Sequence, residues 1–103
     1  MSISFWPAIQ QVSGGVFGSP NSIMRDSQWT IVMVDTGGGG GGVNQYVELP
    51  AGSELGDLVE VHYMNGNTPQ VSAPSGDSIV GGTIVPGPGS FRKVDTNLWS
   101  RTS

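Results

Sequence analysis

The chain of 103 residues has no cysteine and few charged side chains. Without cysteine it can form neither a disulfide nor a cysteine-ligated zinc site. Charged residues make up 12% of the chain, and the four basic residues leave a net charge of −4. Binding of nucleic acid through a basic face is therefore not expected. Sparse charge beside 36% hydrophobic residues favours a surface covered by partners, with a surface rich in uncharged polar side chains as the alternative.

Long apolar runs are also missing. No stretch approaches the roughly 20 apolar residues that span a bilayer. The first seven residues, Met-Ser-Ile-Ser-Phe-Trp-Pro, have neither the positive region nor the apolar region of a signal peptide. Helical periodicity is almost absent as well. We therefore expect no membrane partner and little or no helix.

Short alternating segments dominate the chain from residue 28 onward. They are separated by turn-forming residues, among the 17 glycines and 7 prolines of the chain. Strands that are this short and this closely spaced predict an all-β fold, a small antiparallel β-sandwich or barrel-like domain over residues 28–103. The segments are residues 28–35, 46–51, 58–64, 71–79, 90–94 and 97–99.

The segment 28–35 is the strongest strand candidate. Both of its faces are apolar, and such a strand is expected to be buried on both sides. In a small domain this predicts core on one side and a subunit interface or a covering arm on the other. We expect Trp29, Ile31 and Met33 of this segment, together with Trp99 near the carboxyl terminus, to be core or interface residues.

Two further strand predictions depend on period-2 alternation and turn chemistry. In residues 58–64, Val59, Val61 and Tyr63 share the face expected to point into the core. Asn65-Gly66 then predicts a two-residue hairpin to the next strand, because both residues tolerate a positive φ. Nearer the carboxyl terminus, Thr96-Asn97 predicts a tight turn between two closing strands.

Residues 1–27 show no sustained alternation but contain large apolar side chains. A purely disordered tail would be poorer in them. We interpret this segment as an extended N-terminal arm that becomes ordered by packing on another molecule. Its expected anchors are Phe5, Trp6, Ile9 and Phe17. The alternative is that the segment folds back over its own domain and caps an open edge of the core.

Residues 37–42 are six consecutive glycines. Gly37, Gly39 and Gly42 match the spacing of a dinucleotide-binding fingerprint, but that fingerprint must open a helix. Here a strand candidate ending at Pro50 comes next instead. We therefore predict a Gly-rich hairpin loop and no cofactor.

No catalytic or metal site is expected. The chain has one histidine, His62, and no Gly-x-Ser-x-Gly nucleophile elbow, so a surface histidine is the simplest interpretation. Glu54, Asp57 and Glu60 could supply oxygen ligands to calcium, but their spacing is not that of a calcium loop. The sequence therefore predicts a protein that is not an enzyme. Its scattered aromatic residues could instead form a carbohydrate-binding face.

From Tyr46 onward the order of short motifs carries a resemblance. A strand ending in Leu-Pro is followed by a Gly-Asp pair, an alternating valine strand, an Asn-Gly turn, a second Gly-Asp pair and an Asn-x-Trp ending. These motifs are Leu49-Pro50, Gly56-Asp57, Leu58 to His62, Asn65-Gly66, Gly76-Asp77 and Asn97-Leu98-Trp99. This stretch resembles a β module found in virion proteins of tailed bacteriophages, including head-decoration proteins, fibres and tail adhesins.

The resemblance implies a virion structural protein. A chain of this length starting at Met1 is more similar to a capsid decoration, or cement, protein than to a fibre. The resemblance then implies a homotrimer on the outer surface of the capsid, bound to the major capsid protein and bridging its subunits. The alternative is a short fibre or a tail-tip module that binds a receptor or a carbohydrate.

Overall fold

The computed structural model describes residues 7–37, 45–64 and 67–102. Within these ranges the chain forms strands and turns and no helix, which confirms the all-β prediction. The strands are β1 (Ala8–Ser13), β2 (Asn21–Ser22), β3 (Trp29–Asp35), β4 (Tyr46–Glu48), β5 (Leu58–Tyr63), β6 (Gln70–Ser72), β7 (Ser78–Ile79), β8 (Ile84–Pro86), β9 (Gly89–Asp95) and β10 (Leu98–Arg101).

The strands form two sheets between which the chain alternates. The large sheet has the order β1-β3-β5-β9-β10-β7, and the small sheet has the order β2-β4-β6-β8. Ala8 of β1 pairs with Thr30 of β3, which in turn pairs with Val59 of β5. The small sheet repeats this pattern through β2, β4 and β6. The first six strands therefore wind as a coil, with alternate strands in opposite sheets.

This winding corrects the prediction of an antiparallel domain. The neighbours β1, β3 and β5 are parallel, and so are β2, β4 and β6. The physical reason is that consecutive strands lie in different sheets, so each sheet receives its next strand running in the same direction as the last. Antiparallel strand pairs occur only where β8, β9 and β10 close the described structure.

The two turn predictions have different outcomes. Residues 65 and 66 lie outside the described ranges, but β5 and β6 belong to different sheets. The prediction that Asn65-Gly66 joins a hairpin pair is therefore wrong. In contrast, the turn at Thr96-Asn97 joins β9 to β10, which pair antiparallel as predicted.

The core lies between the two sheets. The large sheet contributes alternate residues such as Val32, Val59 and Phe91, while the small sheet contributes Val47 and Val71. Each of these side chains is at most 2% exposed. The predicted inward face of residues 58–64 is confirmed at Val59 and Val61, but Tyr63 at the end of β5 is 40% exposed.

The described part of residues 1–27 belongs to the domain. Within it, β1 pairs along its whole length with β3, and Ile23 is 2% exposed in the core. For residues 7–27 the extended arm is therefore corrected to the alternative, a segment folded over its own domain. Pairing with a strand as apolar as β3 gives this segment a partner inside the molecule. Residues 1–6 and most of the Gly-rich loop, residues 38–42, lie outside the described ranges.

Candidate functional site

One face of the large sheet points away from the small sheet and carries a row of apolar side chains. We call this row the outer stripe: Ile9 of β1, Trp29, Ile31 and Met33 of β3, and Leu58 of β5. Register places Ile9 beside Ile31 and Trp29 beside Leu58, so the row is continuous across three parallel strands. Ile9 is 71% exposed, and the other members are half-buried.

The predicted core or interface residues therefore lie in two places. Trp99 is fully buried among the core side chains. Trp29, Ile31 and Met33 point to the opposite side of the large sheet, where nothing in the described chain covers them fully. β3 is apolar on both faces because only one face meets the small sheet.

Polar groups border the outer stripe on β5. Glu60 lies opposite Ile31, and His62 lies opposite Met33. The Trp29 indole N–H donates a hydrogen bond to the Glu60 carboxylate, while His62 Nε2 is 3.8 Å from Glu60 Oε1. The His62 side chain is 49% exposed, which confirms the surface histidine. A histidine beside a carboxylate is only part of a catalytic triad, which also needs a nucleophile bonded to the imidazole.

The predicted anchors of the arm do not form one patch in the described structure. Phe5 and Trp6 lie outside the described ranges. Ile9 is near the start of β1, whereas Phe17 is in the turn beyond its end; both are 71% exposed. Phe17 contacts the ring of Tyr46 edge to face, with 5.6 Å between the ring centroids.

Two of the three acidic residues considered for calcium are engaged in an ion pair. Arg25 contacts both oxygens of Asp57, with Nε 2.6 Å from Oδ2, and its Nη2 lies 3.3 Å from the Glu54 carboxylate. Glu60 is elsewhere, on the outer face. Among the described residues no group of three or more histidine or acidic side chains could hold a metal ion.

The Asp57 carboxyl is buried, and its pKa depends on the balance between this burial and its hydrogen-bonding and charged neighbours. Burial alone would raise the pKa of Asp57. The hydrogen bonds from Arg25 and from the Glu54 backbone N–H, with the charges of Arg25 and Lys93, outweigh burial and hold that pKa below its ordinary value. Asp57 therefore stays ionised and acts as a tie between the segment before β3 and the start of β5.

A second buried carboxylate, Asp77, ties together the other end of the large sheet. Its Oδ2 accepts from Lys93 Nζ at 3.0 Å and from the Trp99 indole at 3.1 Å. The Asn97 side-chain amide, oriented with its nitrogen toward Asp77, donates to Asp77 Oδ1 at 3.2 Å. The side chains of Lys93 and Asp77 are 8% and 9% exposed. This cluster joins the start of β7 to β9 and to β10.

Sequence reasoning missed both ion pairs, although a signal was present. Asp57 and Asp77 each come directly after a glycine, and Gly56 and Gly76 have the same φ of 89°. Each aspartate N–H donates to the carbonyl three residues earlier, at Glu54 and Pro74. The repeated Gly-Asp pair thus marks the same corner, where the chain crosses from the small sheet to the large one. A buried aspartate at such a corner requires a cationic partner.

Comparisons with protein-family models, with curated proteins and with solved structures find no match. A search of the described residues likewise finds no helix long and apolar enough to cross a membrane. A function for the chain must therefore be argued from its geometry.

Proposed function

We propose that this chain is a non-enzymatic structural protein of a tailed-phage virion, a decoration or cement protein on the outer surface of the capsid. The observation that carries the binding role is the outer stripe, and the resemblance of the motifs from Tyr46 onward supplies the phage virion as its setting. It places several large apolar side chains on one rigid sheet face, where a partner can cover them. A contiguous apolar row that is only partly covered, with Ile9 71% exposed at one end, is a candidate interaction site.

The frame behind the outer stripe suits a binding role. Parallel strands fix the spacing of Ile9, Ile31 and Leu58, so these side chains meet a partner in a fixed arrangement. Little ordering is then needed on binding, which favours affinity. The two buried carboxylates have structural partners: Asp57 is held by Arg25, and Asp77 by Lys93.

We further propose that the protein is a homotrimer that contacts the major capsid protein. Closed cyclic symmetry lets identical copies cover apolar surface without forming open filaments. A trimer bound across neighbouring shell subunits would bind the assembled lattice and not the separated subunits. It would therefore stabilise the intact shell by mass action.

The experiment compares charged substitutions on and off the outer stripe. Ile31→Lys places a charge in the middle of the stripe, whereas Val80→Lys places one on a 57%-exposed valine just beyond β7. Purified variants are added to undecorated capsids, and bound protein and the temperature of shell disruption are measured. We expect Ile31→Lys to lose binding by about tenfold or more, the effect of roughly 1.4 kcal/mol, and Val80→Lys to behave as wild type. Equal binding by both variants would show that capsid decoration does not depend on the outer stripe, either through the trimer or through the shell protein.

A second candidate function is a short fibre or tail-tip module that binds a carbohydrate. It is favoured by a cavity of about 220 Å³ lined by Ser13, Gly14, Asp35 and Gly37. The aromatic pair of Phe17 and Tyr46 is linked to this region, because Gly15 bonds to Tyr46 through backbone groups on both residues. The exposed Phe17 ring offers an apolar face and the cavity offers polar groups, the two kinds of contact that a sugar site combines.

A glycan-binding screen followed by calorimetry tests this second candidate. The Phe17→Ala variant removes the exposed ring, and Val80→Ala is the control for loss of an exposed apolar side chain elsewhere. Binding of a glycan by wild type that Phe17→Ala abolishes and Val80→Ala retains would support it. Absence of any glycan binding by wild type would leave the decoration function as the proposal.

A further inference from the structure

The two sheets have four edges, and three of them are protected against pairing with another strand. The edges are β1 and β7 in the large sheet, and β2 and β8 in the small sheet. At one end of the molecule, β7 has only two residues, and β8 ends in Pro86, which has no N–H to donate. Short strands and proline are both ways in which proteins protect edges.

At the other end, side-chain amides protect part of each edge. The Gln10 carboxamide occupies both backbone groups of Met24, just beyond β2: Nε2 donates to its carbonyl at 2.8 Å, and Oε1 accepts from its N–H at 3.0 Å. In return, Asn21 Nδ2 of β2 donates to the Ser13 carbonyl of β1 at 2.7 Å. Each amide thus fills the place of a missing neighbouring strand.

Two residues of β1 are left with backbone groups that point away from the molecule. Gly14 donates its N–H to Asp35 of β3, and the Ser13 carbonyl points the other way, toward Asn21. Because successive residues of a strand direct their backbone groups to opposite sides, Ile9 and Gln11 face outward with Ser13. Neither residue has a backbone partner among the described residues.

The sequence of β1 does nothing to discourage pairing at these two residues. The strand Ala-Ile-Gln-Gln-Val-Ser carries no charge and no proline. Its register with β3 continues without a bulge from Ala8 to Ser13. Edge strands in soluble proteins usually carry a lysine, a proline or a bulge. This stretch has none of them.

We propose that β1 pairs antiparallel with β1 of a second copy of this chain, about a two-fold axis at Gln10. In this register Ile9 of one copy lies opposite Gln11 of the other, and each such pair exchanges two backbone hydrogen bonds. The large sheets of the two copies then form one continuous sheet. The outward groups of Ile9 and Gln11 are all satisfied, about four hydrogen bonds in total by the antiparallel pattern of two per bonded pair.

The backbone groups of β1 indicate both the partner, a second copy of the chain, and the register of the pairing. The outward groups of Ile9 and Gln11 match those of a second β1 turned by two-fold symmetry, and β1 itself carries no charge. One carboxylate lies near the axis: Asp26 Oδ2 accepts from Gln10 Nε2 at 3.0 Å, so added salt should favour the contact by screening the two copies of this charge. The other edges of the described chain offer no match, because they are short, end in proline or are filled by Gln10. Pro7 and the occupied Ser13 carbonyl limit the pairing to Ile9 through Gln11, which places the axis at Gln10.

The edge contact is separate from the proposed trimer. The trimer would use the outer stripe, a sheet face, whereas the edge contact uses the rim of the sheet. One strand pair buries less than the roughly 1,000 Å² of a stable interface, so the association is weak and depends on concentration. Its signature is a doubling of mass, from monomer to dimer or from trimer to hexamer.

Sedimentation velocity of the full chain over a range of concentrations tests the proposal. Gln11→Pro removes the outward N–H of Gln11 and leaves the β1–β3 hydrogen bonds intact, because Gln11 does not donate to β3. Gln11→Lys adds a charge at the edge, and Gln11→Ala is the matched control. We expect wild type and Gln11→Ala to reach twice the mass of Gln11→Pro and Gln11→Lys at high concentration, with circular dichroism unchanged.

Hydrogen exchange of the Ile9 and Gln11 amides in the wild-type chain gives a second readout. We expect their exchange to slow as protein concentration rises. Equal masses for wild type and Gln11→Lys would overturn the proposal. So would protection of these amides that does not change with concentration, since it would mean that the chain covers the edge itself. A trimer that never doubles would overturn the edge contact and leave the proposed trimer intact.

Discussion

The two faces of β3 look alike in sequence but differ in the structure. Thr30, Val32 and Val34 point inward and are at most 1% exposed, whereas Ile31 and Met33 point outward and are only half-buried. The inner face meets the small sheet, and the outer face meets nothing comparable among the described residues. Apolar composition therefore indicates that a strand face is buried against something. Only the fold shows whether that something is part of the same chain.

This difference decides which substitutions act on folding and which act on association. A side chain on the inner face loses packing inside the molecule when it is shortened. A side chain on the outer face loses mainly what a second molecule would give it. Shortening a side chain should therefore lower the free energy of unfolding more on the inner face than on the outer face. The largest loss is expected in the core.

Trp99→Ala should cost the most, about 3–5 kcal/mol in the free energy of unfolding, the range for a truncated core aromatic. Trp99 is fully buried, and its indole N–H is bound to Asp77, so the change leaves a cavity and an unmade hydrogen bond. Urea unfolding followed by circular dichroism measures the loss.

Trp29→Ala is the matched control on the outer face. Its ring is half-buried and its N–H reaches Glu60 near the surface, so we expect a loss of about 1–2 kcal/mol, consistent with partial burial of an aromatic side chain. The sequence predicts a core or interface position for Trp29, and at such a position loss of the ring would unfold or dissociate the protein. Equal losses for the two tryptophans in a monomeric sample would show that the outer face is covered by this chain after all.

Asp77→Ala should rank second, with a loss of about 3 kcal/mol, as is typical when one partner of a buried ion pair is removed. The change leaves the Lys93 ammonium buried without its carboxylate and frees the Trp99 indole N–H. The double variant Asp77→Ala/Lys93→Met tests whether the unpaired buried Lys93 ammonium causes the loss. We expect the double variant to recover part of the loss, because the uncompensated buried charge is gone. No recovery would mean that the Asp77 side chain acts mainly through its hydrogen bonds with Trp99 and Asn97.

Acid should weaken the tie at Asp57. The native pKa of Asp57 lies below its ordinary value of 3.8, so the carboxylate stabilises the fold at neutral pH. That contribution is fully present above the unfolded pKa and is lost as the pH falls through the native pKa. We expect the stability difference between wild type and Asp57→Asn to be largest near pH 7 and to shrink below about pH 4.

Urea unfolding at a series of pH values, for wild type and Asp57→Asn in parallel, measures this difference. Glu54→Gln is the control, because its side chain is 77% exposed and contacts only one nitrogen of Arg25. It should follow the wild-type curve closely. A constant gap between wild type and Asp57→Asn across the whole range would contradict the assignment of the titration to Asp57.

Sequence reasoning reaches the fold class because the alternation at Val59 and Val61 depends only on strand geometry. It misses the parallel winding because local patterns do not show which sheet a strand enters. Asn65-Gly66 is typical of a hairpin, yet β5 and β6 lie in different sheets. The site is only partly predictable for the same reason. The outer members of β3 can be named from sequence, but their continuity with Ile9 and Leu58 depends on register between distant segments.

The smallest effect on folding should come from Ile31→Thr, and its neighbour Val32→Thr sharpens the comparison. Both changes put a hydroxyl on adjacent residues of the same strand, and threonine suits a strand well. Val32→Thr buries that hydroxyl in an apolar core and should cost about 1–3 kcal/mol, while Ile31→Thr should cost less than about 1 kcal/mol.

Association should rank the two variants in the opposite order. Ile31→Thr should raise the concentration at which the homo-oligomer dissociates, because the outer stripe loses an apolar side chain at its centre. Val32→Thr, which does not reach that surface, should leave the dissociation concentration unchanged wherever the protein is folded. Sedimentation equilibrium under native conditions measures both. If Ile31→Thr destabilises the isolated chain as much as Val32→Thr and leaves association untouched, then the outer face of β3 belongs to folding and the binding surface must lie elsewhere.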